Sequence, residues 1–184
     1  MLLGKRRITR KYRKRQNGRA LTRVKSPLHP HEQLLRDFYR AFAARDPEGM
    51  ARCYHPEVAF SDAVFPMLRG EDACDMWRML LSRATDLAVT LDECEAGPQA
   101  GETRWTARYT FSRTGRPVVN RVHGLFAFRD GLIVRHYDSF SFWRWAGQAL
   151  GPAGRLLGWL PPLKWKVRKD AERSLRSFQH HRHG

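Results

Sequence analysis

Asp62, His136 and Asp138 are the residues of this chain whose type and spacing best suit chemistry. Asp62 ends a short apolar run over residues 58–61. His136 and Asp138 flank Tyr137 within another, over 132–142. A spacing of two puts His136 and Asp138 on one face of a strand. A carboxyl on an apolar wall is desolvated and favours its neutral form, and an imidazole beside it can share the proton. Such a trio suits proton abstraction next to a carbonyl, or activation of water. The plainer alternatives stay open: Asp62 as a strand-end turn acid, Asp138 as an acceptor for an arginine or a helix. Tyr39, Trp77, Trp105, Tyr109 and Asn120 fall at spacings that would line a pocket for a hydrophobic, ring-bearing ligand. The same spacing also serves plain core.

The elements that must position these residues follow from periodicity. Leu34, Leu35, Phe38, Tyr39, Phe42 and Ala43 make one helical stripe. Asp46-Pro47-Glu48 restarts a helix with an N-cap, a first-turn proline and an acid at its positive end. A third helix is predicted over 70–84, from Ala73, Met76, Trp77, Leu80 and Leu81. After Leu87 the period changes to two, and Asp130-Gly131 marks a hairpin between two apolar runs. Helices first and consecutive strands later predict an α+β fold: a cone-shaped, curved antiparallel sheet wrapped on three N-terminal helices. Alternation points 105/107/109/111, 118/122/126/128 and 132/134/140/142 inward, together with Asn120, Gly124, His136 and Asp138. Arg104, Arg108, Arg121, His123, Arg135 and Tyr137 point outward.

Three regions are expected: a disordered basic arm (1–30), the domain itself (31–142) and a basic, Trp-rich extension (143–184). The chain has 184 residues and a net charge of +16, but the basicity belongs to its ends. Residues 1–30 hold 11 Lys or Arg and no acid, while residues 31–160 balance 16 against 16, every base there an arginine. The arm is expected either to contact polyanions non-specifically or to be a solvated tail. The extension reads as a lid over the pocket, an interfacial membrane helix, or a segment packed on the outer sheet or a partner subunit. Cys53, Cys74 and Cys94 lack metal or disulfide spacing and read as reduced, buried thiols. No apolar run is long enough to span a membrane. A cytoplasmic protein is expected, forming a homodimer, binding a small hydrophobic ligand, and using no metal or cofactor.

The block FYRAFAARDPEGMARCYHPEVAFSD, the Gly70 that opens a helix, the TGR turn and the strand pair FAFRDGLIVRHYD resemble the SnoaL-like branch of the nuclear transport factor 2-like superfamily, over roughly 33–142. The resemblance implies that superfamily's curved barrel. For function it implies a cofactor-independent isomerase, hydrolase or cyclase, or a binding or scaffold protein of the same fold without chemistry. Asp62 matches the general base of the ketosteroid isomerases, with Ala63 where those enzymes have proline. Their oxyanion tyrosine falls at Phe38, one step from Tyr39, and their oxyanion aspartate near Gly124, so that oxyanion hole is missing here. His136-Tyr137-Asp138 matches the final-strand acid of SnoaL-type cyclases and limonene epoxide hydrolases. The hydrolases' companion arginine and aspartate fall near Trp105 and Ala107, which leaves that relay incomplete.

Overall fold

The computed structural model describes residues 28–183, so most of the basic arm expected over 1–30 lies outside the described residues. Helix α1 (Pro30–Ala43) buries Leu35, Phe38, Tyr39 and Phe42 of the stripe read from the sequence, with Leu34 half-buried and Ala43 exposed at the helix end. Helix α2 (Pro47–Arg52) is capped by Asp46, whose carboxylate accepts from the Gly49 N–H at 2.8 Å. Strand β1 (Tyr54–Ser61) pairs antiparallel with the short β2 (Leu68–Arg69). Helix α3 (Glu71–Arg83) follows. Then come β3 (Ala88–Ala96), β4 (Ala100–Phe111), β5 (Arg116–Arg129) and β6 (Leu132–Ser139).

The strands form one curved sheet in the order β2-β1-β6-β5-β4-β3, with the helices on its inner face. The fold class is the α+β architecture expected, with two refinements. The sheet stays open, with β2 and β3 as its edges, and β1 runs parallel to β6. A parallel pair needs a long crossover, which α3 and the β3–β6 meander supply. The turn between β5 and β6 holds Asp130 and Gly131 at φ 54° and 77°, as a two-residue type I′ hairpin requires.

One inward assignment is corrected. Parity pointed Leu132 and Val134 into the core, but the β5–β6 register slips between Ala127 and Phe128, and Ile133 takes the fully buried place. A bulge adds one residue and reverses the facing of what lies beyond it. The slip lies on the turn side of His136, so His136 and Asp138 keep their inward phase.

The extension breaks at its Gly-Pro and Pro-Pro pairs into α4 (Phe142–Ala149), α5 (Pro152–Leu157) and α6 (Pro161–His183). Helix α4 sets Trp145 against Val118 and Phe111, and the Trp145 indole N–H donates to the Tyr109 hydroxyl at 2.9 Å. Helix α6 crosses α3: Leu175 joins the main core, Gln179 donates to Asp72 at 2.7 Å, and Arg182 pairs with the buried Asp75. The extension therefore covers the open end of the sheet rather than its outer side. Among the described residues no helix is long and apolar enough to cross a membrane.

Candidate active site

The inner faces of β1, β4, β5 and β6, with α3, α4 and α6, bound a cavity of about 340 Å³. That volume suits a small ring-bearing molecule. Of the eight residues singled out in the sequence, Asp62, Asp138, Trp77, Trp105, Tyr109 and Asn120 line it. The other two, His136 and Tyr39, sit behind the wall.

Asp138 is only 3 % exposed. Its Oδ1 accepts from His136 Nε2 at 3.0 Å and from the Trp105 indole N–H at 3.4 Å. Among the described residues both hydrogen bonds to this carboxylate fall on Oδ1, which leaves Oδ2 for a ligand. Asp138 pairs across the sheet with Gly124, where a Cβ would meet Thr103 Oγ1 at 2.6 Å and Asp138 Oδ1 at 3.1 Å. Only glycine lets β4, the carboxylate and Thr103 approach so closely.

Behind Asp138 a chain of buried polar groups runs into the core. The Trp77 indole N–H donates to the Tyr54 hydroxyl at 2.9 Å, and that hydroxyl lies 2.7 Å from His136 Nδ1. An indole only donates, so the consistent order is Trp77 to Tyr54, Tyr54 O–H to Nδ1, and Nε2–H to Asp138. The tautomer with its proton on Nε2 gives every member of the chain a partner. Burial drives the Tyr54 hydroxyl well above its ordinary pKa, so it remains a donor. Phe126 and Phe38 pack on the His136 ring at centroid distances of 4.3 and 5.5 Å. His136 is held on every side and reaches the cavity only through Asp138.

Asp62 stands at the end of β1, on the inward phase of Val58 and Phe60. Its Oδ1 accepts from the N–H groups of Val64 and Phe65 at 2.7 and 2.5 Å, closing the turn after the strand. The turn-acid and pocket-acid readings therefore both describe it. Burial pushes its carboxyl up to about 6 against the lowering effect of those two N–H donors, and the charge of Asp138 adds to the rise. Tyr39, one step from the isomerases' tyrosine position, is turned away; its hydroxyl lies 2.9 Å from Thr103 Oγ1 and burial holds it protonated.

Sequence reasoning missed Tyr54, because His55-Pro56 reads as a helix stop. The strand in fact begins at Tyr54, whose parity with Val58 and Phe60 was the available signal. It also missed the cavity wall from α6, where Val167, Asp170, Ala171 and Ser174 recur at helical spacing. Among the described residues no group of three or more His, Cys, Asp or Glu is placed to hold a metal ion. Burial pushes the three unpaired cysteine thiols up to about 11.

A curved open sheet with helices filling its concave face, and a carboxylate on the inner face of the last strand, defines the class. The SnoaL-like domain model matches residues 35–136, and the chain belongs to that family. Solved structures agree on the fold. A Catenulispora acidiphila protein of ketosteroid isomerase-like fold, solved with trimethylamine, is 14 % identical with a TM-score of 0.59, over 66 % of this chain and 95 % of that one. TsrD from Streptomyces laurentii is 26 % identical with a TM-score of 0.57, over 66 % and 96 %. An LEH-like epoxide hydrolase from M. tuberculosis is 18 % identical with a TM-score of 0.56, over 70 % and 93 %. No curated protein matches the sequence.

Proposed function

We propose that this SnoaL-like protein is a cofactor-independent acid–base enzyme acting on a small, largely apolar molecule that carries one activated C–H bond or binds beside one water. The observation that carries the proposal is Asp138: a buried carboxylate on an apolar cavity wall, its two protein hydrogen bonds both on Oδ1. Oδ2 takes a proton from the ligand carbon or from water, while the N–H groups of His136 and Trp105 hold the carboxylate in place. Asp62, its carboxyl near 6, is the group that returns a proton at a second atom of the same ligand. Base removal and acid return amount to an isomerisation or ring closure, with no net change in protons. Hydrolysis of an epoxide is supported less well. By the family resemblance, the hydrolases' arginine and aspartate fall near Trp105 and Ala107, which offer no such pair to grip a leaving oxygen.

The test is a thermal-shift screen of cyclic ketones, quinones and terpenoid alcohols, with turnover of the hits followed by mass spectrometry or NMR. Asp138→Asn retains the Oδ1 acceptor and the shape. It should bind the same hits and lose turnover by about 10²–10⁴-fold, the usual weight of a general base. Equal turnover by wild type and variant would remove Asp138 from the chemistry, and hits bound without turnover by either would favour a carrier.

A further inference from the structure

Between Asp138 and Asp170 the chain runs for 31 residues without an acid. In that window stand six Lys or Arg and four of the six tryptophans. Trp145 is buried against the cavity and Arg168 bonds the Ala63 carbonyl, but the other three tryptophans are exposed along α4, the α5–α6 turn and the start of α6. Trp159, in the turn between α5 and α6, is 71 % exposed, Leu156 72 % and Trp165 64 %, with Leu157 and Trp143 about half exposed. This is no loose tail. The Trp143 indole N–H donates to the Arg155 carbonyl at 3.0 Å and that of Trp159 to the Leu156 carbonyl at 2.9 Å, so the rings are fixed on their backbones. On α6, Trp165 and Lys169 lie four residues apart, with the ammonium over the indole at 4.8 Å. They occupy the side opposite Val167, Ala171 and Ser174, which face the cavity.

Beside the exposed rings lies a groove of about 450 Å³, lined by Arg116, Arg144 and Arg155 with Trp143 and no carboxylate. Indoles and leucines at the tip, arginines and lysines at their flank and a basic groove between them match a headgroup layer in chemistry and in order. Tryptophan partitions to the boundary between headgroup and acyl chain, cations sit at the phosphates, and guanidinium forks chelate phosphate oxygens. Nucleic acid would take the cations but offers nothing for the side-chain tips of Leu156 and Leu157.

We propose that the α4–α6 corner docks on the surface of an anionic lipid bilayer, with Trp159, Trp165 and Leu156 at the acyl boundary and a lipid phosphate in the Arg116–Arg144–Arg155 groove. The docking itself is independent of any chemistry at Asp138. Residues 1–27 also carry eleven cations and no acid, so the experiment must separate docking at the corner from general attraction to polyanions.

The test is co-sedimentation of the full chain with phosphatidylcholine vesicles, with and without one-quarter phosphatidylglycerol, at physiological salt, beside retention on duplex DNA. The wild type should pellet with the anionic vesicles and not with the neutral ones. Trp159→Ser with Trp165→Ser leaves every charge in place and alters only exposed positions. It should weaken vesicle binding by roughly tenfold and leave DNA retention unchanged. Arg144→Gln with Arg155→Gln should weaken vesicle binding to a similar extent. Vesicle binding that survives the tryptophan variant, or that is absent in the wild type, would overturn the proposal. So would parallel loss of vesicles and DNA, which would assign the attraction to general basicity.

Discussion

The floor and the roof of the cavity are built on different physical terms. The floor, from β1 and β4–β6 with α1 and α3, is locked by hydrogen bonds among buried side chains: Trp77 to Tyr54, Tyr54 to His136, His136 to Asp138, and Tyr39 to Thr103. Each group there has its partner, and a buried network of that kind fixes a single geometry. The roof, α4–α6, rests on apolar contact at Trp145 and Leu175. It is pinned by reaching side chains: Arg182 to Asp75, Gln179 to Asp72, Arg113 to Asp170 and Arg168 to the Ala63 carbonyl. The matched family region ends at residue 136, so the roof lies outside it. On the function proposed above, the floor would act on a ligand and the roof would cover it.

The largest effect should come from the floor. Trp77→Ala removes a ring packed against Phe38, Phe42, Phe60 and His136, along with the Tyr54 hydrogen bond. It should cost about 3–5 kcal/mol in urea unfolding. A cost near that of a surface change would mean that the floor is not the rigid half. Leu175→Ala tests the other side. As a buried contact joining α6 to the main core, it should cost about 2–4 kcal/mol and preserve one cooperative transition. Two separate transitions would show that the roof folds on its own.

Tyr54→Phe keeps the ring and removes the hydroxyl, leaving Trp77 Nε1 and His136 Nδ1 without their shared partner. About 1–3 kcal/mol of stability should go with it, and any turnover should fall by more than the stability loss explains, because Asp138 loses its orientation. The smallest effect expected is at Asp62. Its folded carboxyl lies near 6, above its ordinary 3.8. The stability it contributes is therefore full below about pH 4 and is lost as pH rises through 6. Asp62→Asn still accepts from Val64 and Phe65 but cannot ionise, so its stability relative to wild type should rise across that window by on the order of 1 kcal/mol, allowing for its partial exposure. Parallel pH profiles for the two proteins would place Asp62 in water rather than at the cavity.

The floor was largely legible in the sequence and the roof was not, for a physical reason. Strand alternation and the Asp130-Gly131 turn specify facing residue by residue, so Asp138, His136, Trp105 and Asn120 could be placed on the inner phase before any coordinates. The failure at Leu132 and Val134 came from a bulge, which no alternation pattern announces. The parallel pairing of β1 with β6 depends on how the whole meander returns, which local sequence does not encode. The helices of the roof were readable as helices, but where they dock is set by distant partners such as Asp75, Asp72 and Ala63. The sequence therefore left open a lid, a membrane surface, and packing on the outer sheet or a partner subunit.

The central claim is that Oδ2 of Asp138 moves protons to and from a molecule in the cavity. The most direct measurement is solvent-deuterium exchange, by proton NMR, into the carbon next to the carbonyl of a cyclic ketone that raises the melting temperature. Wild-type protein in D2O should wash deuterium into that position, and Asp138→Asn, binding the ketone as well, should be slower by about 10²-fold or more. Equal exchange rates in the two proteins, with binding intact in both, would contradict the claim.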